Sequence, residues 1–282
     1  MLKASLFGDI LESGWMIGIN KVTRSVKSIC PAHRIVRVVI LSIILLTLIS
    51  CAQQPVDYNS TDAYDFPVKP GTEAWRDFTN HDEMVKACEI PESILHNMST
   101  AGLVVTVLSY PLLGDMRTYN SIQQGFDAVA AQFNGILWLL NRKDAGTELL
   151  ARYRNMEPAA IKDNWTLLQK GDYAMGIADI EILLAQYTIL DDLTQAQLQG
   201  LLKETIAKYH VKQEYAEIYG QSGQACTAWL TGRALQQASY APFEQRIQQD
   251  ISLQNFLSTG FYANDLVLSE IFSQAQQLLS GR

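Results

Sequence analysis

Cysteine, histidine, serine and carboxylate side chains are sparse enough in this 282-residue chain for each chemistry they could support to be judged by spacing. The sharpest pattern is Leu48-Ile49-Ser50-Cys51. A branched apolar residue, two tolerated spacers and a thiol at the end of an apolar run match what bacterial lipoprotein processing requires. In that chemistry the thiol takes a diacylglycerol thioether and the chain is cut before it. Cys88 and Cys226 then remain in an oxidising compartment, either joined as a disulfide or packed as two free thiols. A nucleophilic role for either would need a base to form thiolate, and Cys88 lies near His81 and His96 only along the chain.

Other reactive constellations are weaker. Gly220-Gln221-Ser222-Gly223-Gln224 lacks the last glycine of a hydrolase elbow, and no buried strand precedes it, so Ser222 reads as a helix cap. The histidines after Cys51 are His81, His96 and His210, none paired at helical spacing for a metal. His81-Asp82-Glu83 after Asn80 reads instead as a capped helix start with acids at the positive dipole end. No glycine loop for phosphate follows a strand, so neither cofactor nor metal is expected. Asp115 and Asp179 could serve a hydrolase of glycan or peptide if paired carboxylates stood about 5 to 10 Å apart across a cleft. Trp138, Trp165 and Trp229 could line a sugar groove, but at helical spacing they read as core.

One polar stretch looks more than structural. Tyr110 to Asn120, with Asn134 and Arg142 to Asp144, gathers polar side chains around expected helix ends. Asp115, Tyr119, Asn120, Asn134, Arg142 and Asp144 form the candidate ligand or partner site, with Arg117 and Lys143 beside them. The alternative is that they brace loops.

The elements that would position these residues begin after a leader. Residues 1–50 read as a lipoprotein signal peptide: the apolar run Val38 to Ile49 follows Arg37 and is far shorter than the ~20 residues a spanning helix needs. From Met16 onward the segment before that run holds five bases and no acid, so translation is expected to start at Met16 rather than Met1. Six of the 22 Lys and Arg and two of the 29 acids precede Cys51, leaving 16 bases against 27 acids, a formal charge of −11. Such a body repels nucleic-acid phosphates and anionic headgroups, so no nucleic-acid partner is expected. Acyl chains on Cys51, contributing ~0.8 kcal/mol per buried methylene, would hold it to the bilayer without help from the protein surface.

Residues 51–71 read as the lipidated cysteine and a tether rich in Pro, Asp, Asn, Ser and Thr. Residues 72–282 read as one all-α domain. Ile122, Phe126, Val129, Phe133, Leu137 and Leu140 recur at helical spacing, as one helix or two nearly collinear ones. Further stripes run Tyr173, Ile177, Ile180, Leu184, Tyr187; then Leu198, Leu201, Leu202, Thr205, Tyr209; then Leu268, Ile271, Phe272, Ala275, Leu278. Ser99, Ser121, Asp172, Thr194 and Ser222 are expected caps, Pro91 and Pro242 first helical positions, and Pro111 a stop. Val104 to Leu108 is β-branched yet has no partner strand, so it too is expected helical. Short connections make sequential helices antiparallel pairs, stacked as an irregular α-superhelix or as a compact helical bundle.

Ile90-Pro91-Glu92-Ser93-Ile94-Leu95, Met98-Ser99-Thr100, Tyr110-Pro111-Leu112-Leu113-Gly114-Asp115, Gln124-Gly125-Phe126, Phe133-Asn134-Gly135 and Arg142-Lys143-Asp144-Ala145 resemble a group of bacterial lipoproteins of the Bacteroidota type. The resemblance spans roughly Trp75 to Tyr240 and brings no assigned activity, so it transfers no catalytic role. Ala52 after the cysteine, as in Gram-negative lipoproteins, implies sorting to the outer membrane. The expected function is that of an envelope adaptor or accessory protein binding another protein or a glycan. An envelope hydrolase is the second expectation. A small-ligand carrier is the third, and it would show as one deep apolar pocket.

Overall fold

Side-chain caps set where most of the main helices begin. Ser99, Ser121 and Asn264 each accept a backbone N–H from the first turn that follows, while Thr166 and Thr194 form full capping boxes with Gln169 and Gln197. The computed structural model describes residues 62–261 and 263–281; Cys51, the leader and most of the tether lie outside the described residues. Every regular element among the described residues is helical.

In chain order the α-helices are α1 (Glu73–Arg76), α2 (His81–Ala87), α3 (Glu92–Asn97), α4 (Thr100–Leu108), α5 (Ile122–Gln132), α6 (Asn134–Leu140) and α7 (Ala145–Asn155). Then come α8 (Leu167–Leu184), α9 (Tyr187–Leu190), α10 (Gln195–Glu214), α11 (Ala216–Gln237), α12 (Ala241–Gln249), α13 (Ile251–Thr259) and α14 (Asp265–Ser280). A 3-10 turn over Leu113–Thr118 joins α4 to α5, and another over Pro158–Ala160 follows α7.

The α11 helix is the axis. From Cys226 to Leu235 every residue is buried, and α8, α9, α10, α12, α13 and α14 all pack on it. In an α-superhelix each pair would touch only its neighbours. One helix surrounded by six others makes this the compact bundle of the two expected architectures. Trp229, Leu253, Phe256 and Ile271 are fully enclosed, each contributing about 1.5 to 3 kcal/mol of burial. In the N-terminal half, α4 packs on α6 and α7, and α7 and α4 both reach α8, so the two halves share one core.

Several sequence expectations hold in detail. Val104 to Leu108 lies in α4, and Leu198, Leu201, Leu202, Thr205 and Tyr209 are all buried along α10. Others need correction. The stripe from Ile122 to Leu140 is interrupted at Phe133, whose extended backbone (φ −112°, ψ 111°) separates α5 from α6. The buried set shifts there to Ile136 and Leu139, leaving Leu137 exposed. Tyr187 falls in α9 rather than continuing α8, and it is exposed for the same reason. Asp172 does not cap a helix but rides inside α8, because Thr166 starts that helix six residues earlier. Ser222 makes no side-chain cap either: it lies inside α11, two residues past the break at Gly220.

Candidate functional site

Glycine and alanine open a hollow between α5, α8 and α11. At Gly125 a Cβ would stand 1.8 Å from the Met116 carbonyl oxygen, so only glycine lets the Leu113–Thr118 turn press against α5. That turn delivers Met116, Arg117 and Tyr119 to the wall of the hollow. On α8, Gly171, Ala174, Ala178 and Ile182 recur at spacings of three or four, so a single face of small residues recedes from the space. Opposite, α11 is broken at Gly220, which sits at φ 55°, ψ −169°, a conformation that L side chains rarely adopt. The break lets Ile218 and Tyr219 on one side and Ser222 and Cys226 on the other face the same void. Gly260, Phe261 and Ala263 close the remaining side.

The resulting cavity holds about 510 Å³, within the roughly 300 to 1,000 Å³ of small-ligand sites. Its lining is more apolar than polar: Ala, Ile and Met side chains, the Phe261 ring and the Cys226 thiol, with Tyr119, Ser121, Gln221 and Ser222 among the polar groups. Tyr219 turns its ring to the space while its hydroxyl donates to the Pro158 carbonyl at 2.8 Å. Arg117 is the one charged side chain among the described residues that line it. Its Nη2 donates to Asp179 Oδ1 at 2.6 Å and to the Met175 carbonyl at 3.3 Å. Burial pushes the Asp179 carboxyl up, against the opposing pull of the Arg117 guanidinium. Cys226 is a free buried thiol, pushed up to about 12 by burial, so at neutral pH it is a protonated, inert part of the wall. Cys88 is likewise free and buried, pushed up to about 11 by desolvation.

Two residues beyond Asp179 on α8, a second charge is enclosed completely. Glu181 and Lys212 have no exposed side-chain surface, and Lys212 Nζ donates to both carboxylate oxygens at 2.7 and 2.9 Å. Tyr153 and Thr227 hydroxyls also donate to Glu181 Oε1, at 2.8 and 2.9 Å, and Lys212 reaches the Gly223 carbonyl at 3.1 Å. Another buried cation, Arg233, lies between the Trp229 and Tyr187 rings and donates to the Leu257, Ala185 and Ser258 carbonyls and to Gln123. Desolvation lowers it to about 10.

Of the expected site residues, Tyr119 alone lines this cavity. Asp115 sits on the surface with its Oδ2 2.7 Å from His81 Nε2. Asn120 is exposed. Asn134 holds the chain before α3, accepting from Ile90 N–H at 3.2 Å and donating to its carbonyl at 2.8 Å; it also borders a shallower hollow of about 330 Å³ with Asp82, Lys86 and Glu89. Arg142 donates to the Leu95 and Met98 carbonyls, both at 3.0 Å, and Asp144 accepts from the Thr100 hydroxyl at 2.8 Å. These three brace the α3–α4 corner. Arg117, which the polar stretch places only beside the candidate site, lines the cavity, and Gly171, Ala174 and Ala178 carry its sequence signal, small residues on a helix face. Trp229 is core, its indole N–H donating to the Leu257 carbonyl, whereas Trp138 and Trp165 are half-buried at the surface. Among the described residues no three His, Cys, Asp or Glu side chains converge as metal ligands.

Comparison with models of protein families, with curated proteins and with solved structures finds no match.

Proposed function

We propose that this protein is a lipid-anchored binding protein of the bacterial envelope, tethered through Cys51, whose helical domain takes up a small, largely apolar molecule. The observation that carries this reading is the apolar cavity beside α11. A void of that size costs packing contacts, which a bundle of this kind could regain by replacing the small residues of α8 with larger ones. The glycan- or peptide-cleaving alternative has less support, because among the described residues no carboxylate lines this cleft. Anchorage through Cys51 and outer-membrane sorting rest on the leader and on Ala52.

The uncharged fluorophore N-phenyl-1-naphthylamine tests the cavity. The purified protein should bind it saturably at one site. Ala225→Phe, placing a ring into the space from a half-buried position, should abolish binding without shifting the thermal melt by more than a few degrees. Unsaturable binding, or equal binding by a folded Ala225→Phe variant, would remove the reading.

A further inference from the structure

The polarity of the cavity wall restricts what can fill it. Outside the leader this is an acidic chain, with 27 carboxylates against 16 bases after Cys51. Yet the described residues around the void include no acid and a single cation. Placed by chance in so acidic a body, a wall with one charge would more often carry a carboxylate than a guanidinium.

Arg117 is also incompletely used. Its contacts with Asp179 and the Met175 carbonyl both go through Nη2; among the described residues, Nε and Nη1 have no hydrogen-bond partner. Its side chain is 30% exposed, against 12% for Asp179, so the cation is at the wall and its counter-ion lies behind it. Nη1 still has N–H groups to give a carboxylate or a similar oxyanion, as a single charge-assisted hydrogen bond. Tyr119, Ser121, Gln221 and Ser222 add uncharged polar groups to the wall, but Ala174, Ala178, Ile182, Ile218 and Met116 can offer a ligand no side-chain hydrogen bond. A polar body would lose its hydration there without compensation.

Resting on the cavity reading above, we propose that the ligand is a single-chain amphipath with an anionic end, its chain laid along the Ala174–Ala178–Ile182 face and its oxyanion paired with Arg117. A free fatty acid and a lipid with an acidic head share this chemistry, and the first is the simpler probe. A charge-assisted hydrogen bond contributes about 1.5 to 3 kcal/mol, which corresponds to a preference of about ten-fold or more.

The experiment is displacement of N-phenyl-1-naphthylamine from the full protein by three ligands of equal chain length: dodecanoate, dodecanol and dodecyltrimethylammonium. Dodecanoate should displace it at about ten-fold lower concentration than dodecanol, with the cation weakest. Arg117→Gln alone leaves Asp179 without its cation, so the paired Arg117→Gln/Asp179→Asn variant is measured beside it. In both, the advantage of dodecanoate should vanish while the uncharged probe still binds. Equal displacement by all three ligands in the wild type, or an advantage that persists in the paired variant, would overturn the anionic assignment and leave the cavity reading intact. Failure of the uncharged probe to bind the wild type would overturn both. A phospholipid with an acidic head that displaces better than dodecanoate, with the same dependence on Arg117, would support the assignment and select the lipid source.

Discussion

Asp179 and Glu181 are separated by one residue on α8 and each meets a cation from another element, yet the two pairs are built differently. Glu181 is closed on all sides: one lysine, one tyrosine and one threonine occupy its oxygens, and the lysine in turn is used up on a hydroxyl and a carbonyl. Asp179 holds one nitrogen of Arg117 and, among the described residues, leaves the other two unpaired at the partly exposed rim of a cavity. A charge whose every partner is supplied by the chain has no capacity left for a ligand, whereas a charge with spare donors at a cavity wall does. On the proposed reading, the difference separates a structural ion pair from one that serves recognition, their carboxylates two positions apart on the same helix.

That comparison is broken or sharpened most directly at Lys212. Lys212→Met should cost about 3 to 5 kcal/mol in urea denaturation, since it strands a fully enclosed carboxylate. The paired Glu181→Leu/Lys212→Met variant should recover much of that loss. If the single change cost under about 1 kcal/mol, the enclosed pair would not be the structural element its geometry implies. A smaller effect is expected at the α3–α4 corner. Arg142→Ala should lower stability by about 2 kcal/mol by releasing the Leu95 and Met98 carbonyls, and should leave probe binding in the cavity unchanged. Reduced probe binding in a folded Arg142→Ala variant would make that corner part of the site.

The smallest effect belongs to Asp179→Asn, at about 1 kcal/mol or less near neutral pH, because the pair it breaks is partly open to water. Its signature is in the pH dependence. Burial raises the Asp179 carboxyl in the folded state above its unfolded value of about 3.9. A group shifted in that direction favours the fold fully below the unfolded value, and its contribution is lost as pH rises through the folded one. Wild-type stability should therefore carry a falling component from about pH 3.9 upward, absent from Asp179→Asn. Identical pH profiles for the two proteins would show that the Arg117 contact cancels the burial cost.

The helical class was legible because alternation at three and four residues survives almost everywhere, and because Ser99, Ser121 and Thr194 are read as caps from their side chains alone. Thr166-Leu167-Leu168-Gln169 carries the same signature as Thr194 to Gln197, but its two leucines suggest an interior position, and both are in fact exposed. Burial on every side of α11 has no period to read: from Cys226 to Leu235 its residues are apolar or small all round except Arg233, so the sequence marks a helix without marking it as the axis. The cavity was hidden for a different reason. Its walls come from three segments far apart in the chain, and alanine on a helix looks the same whether it packs tightly or faces a void. The members of the polar stretch are close in sequence but not in space: Tyr119 faces the cavity, while Asn134 and Arg142 tie down backbone and Asp144 holds the Thr100 hydroxyl elsewhere.

Gly223 belongs to two neighbourhoods at once. Its carbonyl accepts from the Lys212 ammonium, and its backbone forms part of the cavity wall. Any outward swing of that wall would lengthen a bond to a fully enclosed cation, so this side of the aperture is backed by the Glu181–Lys212 pair. If the proposed ligand enters here, it would have to match the contour it finds, with its length and girth limited by the contacts on the far side of the glycine.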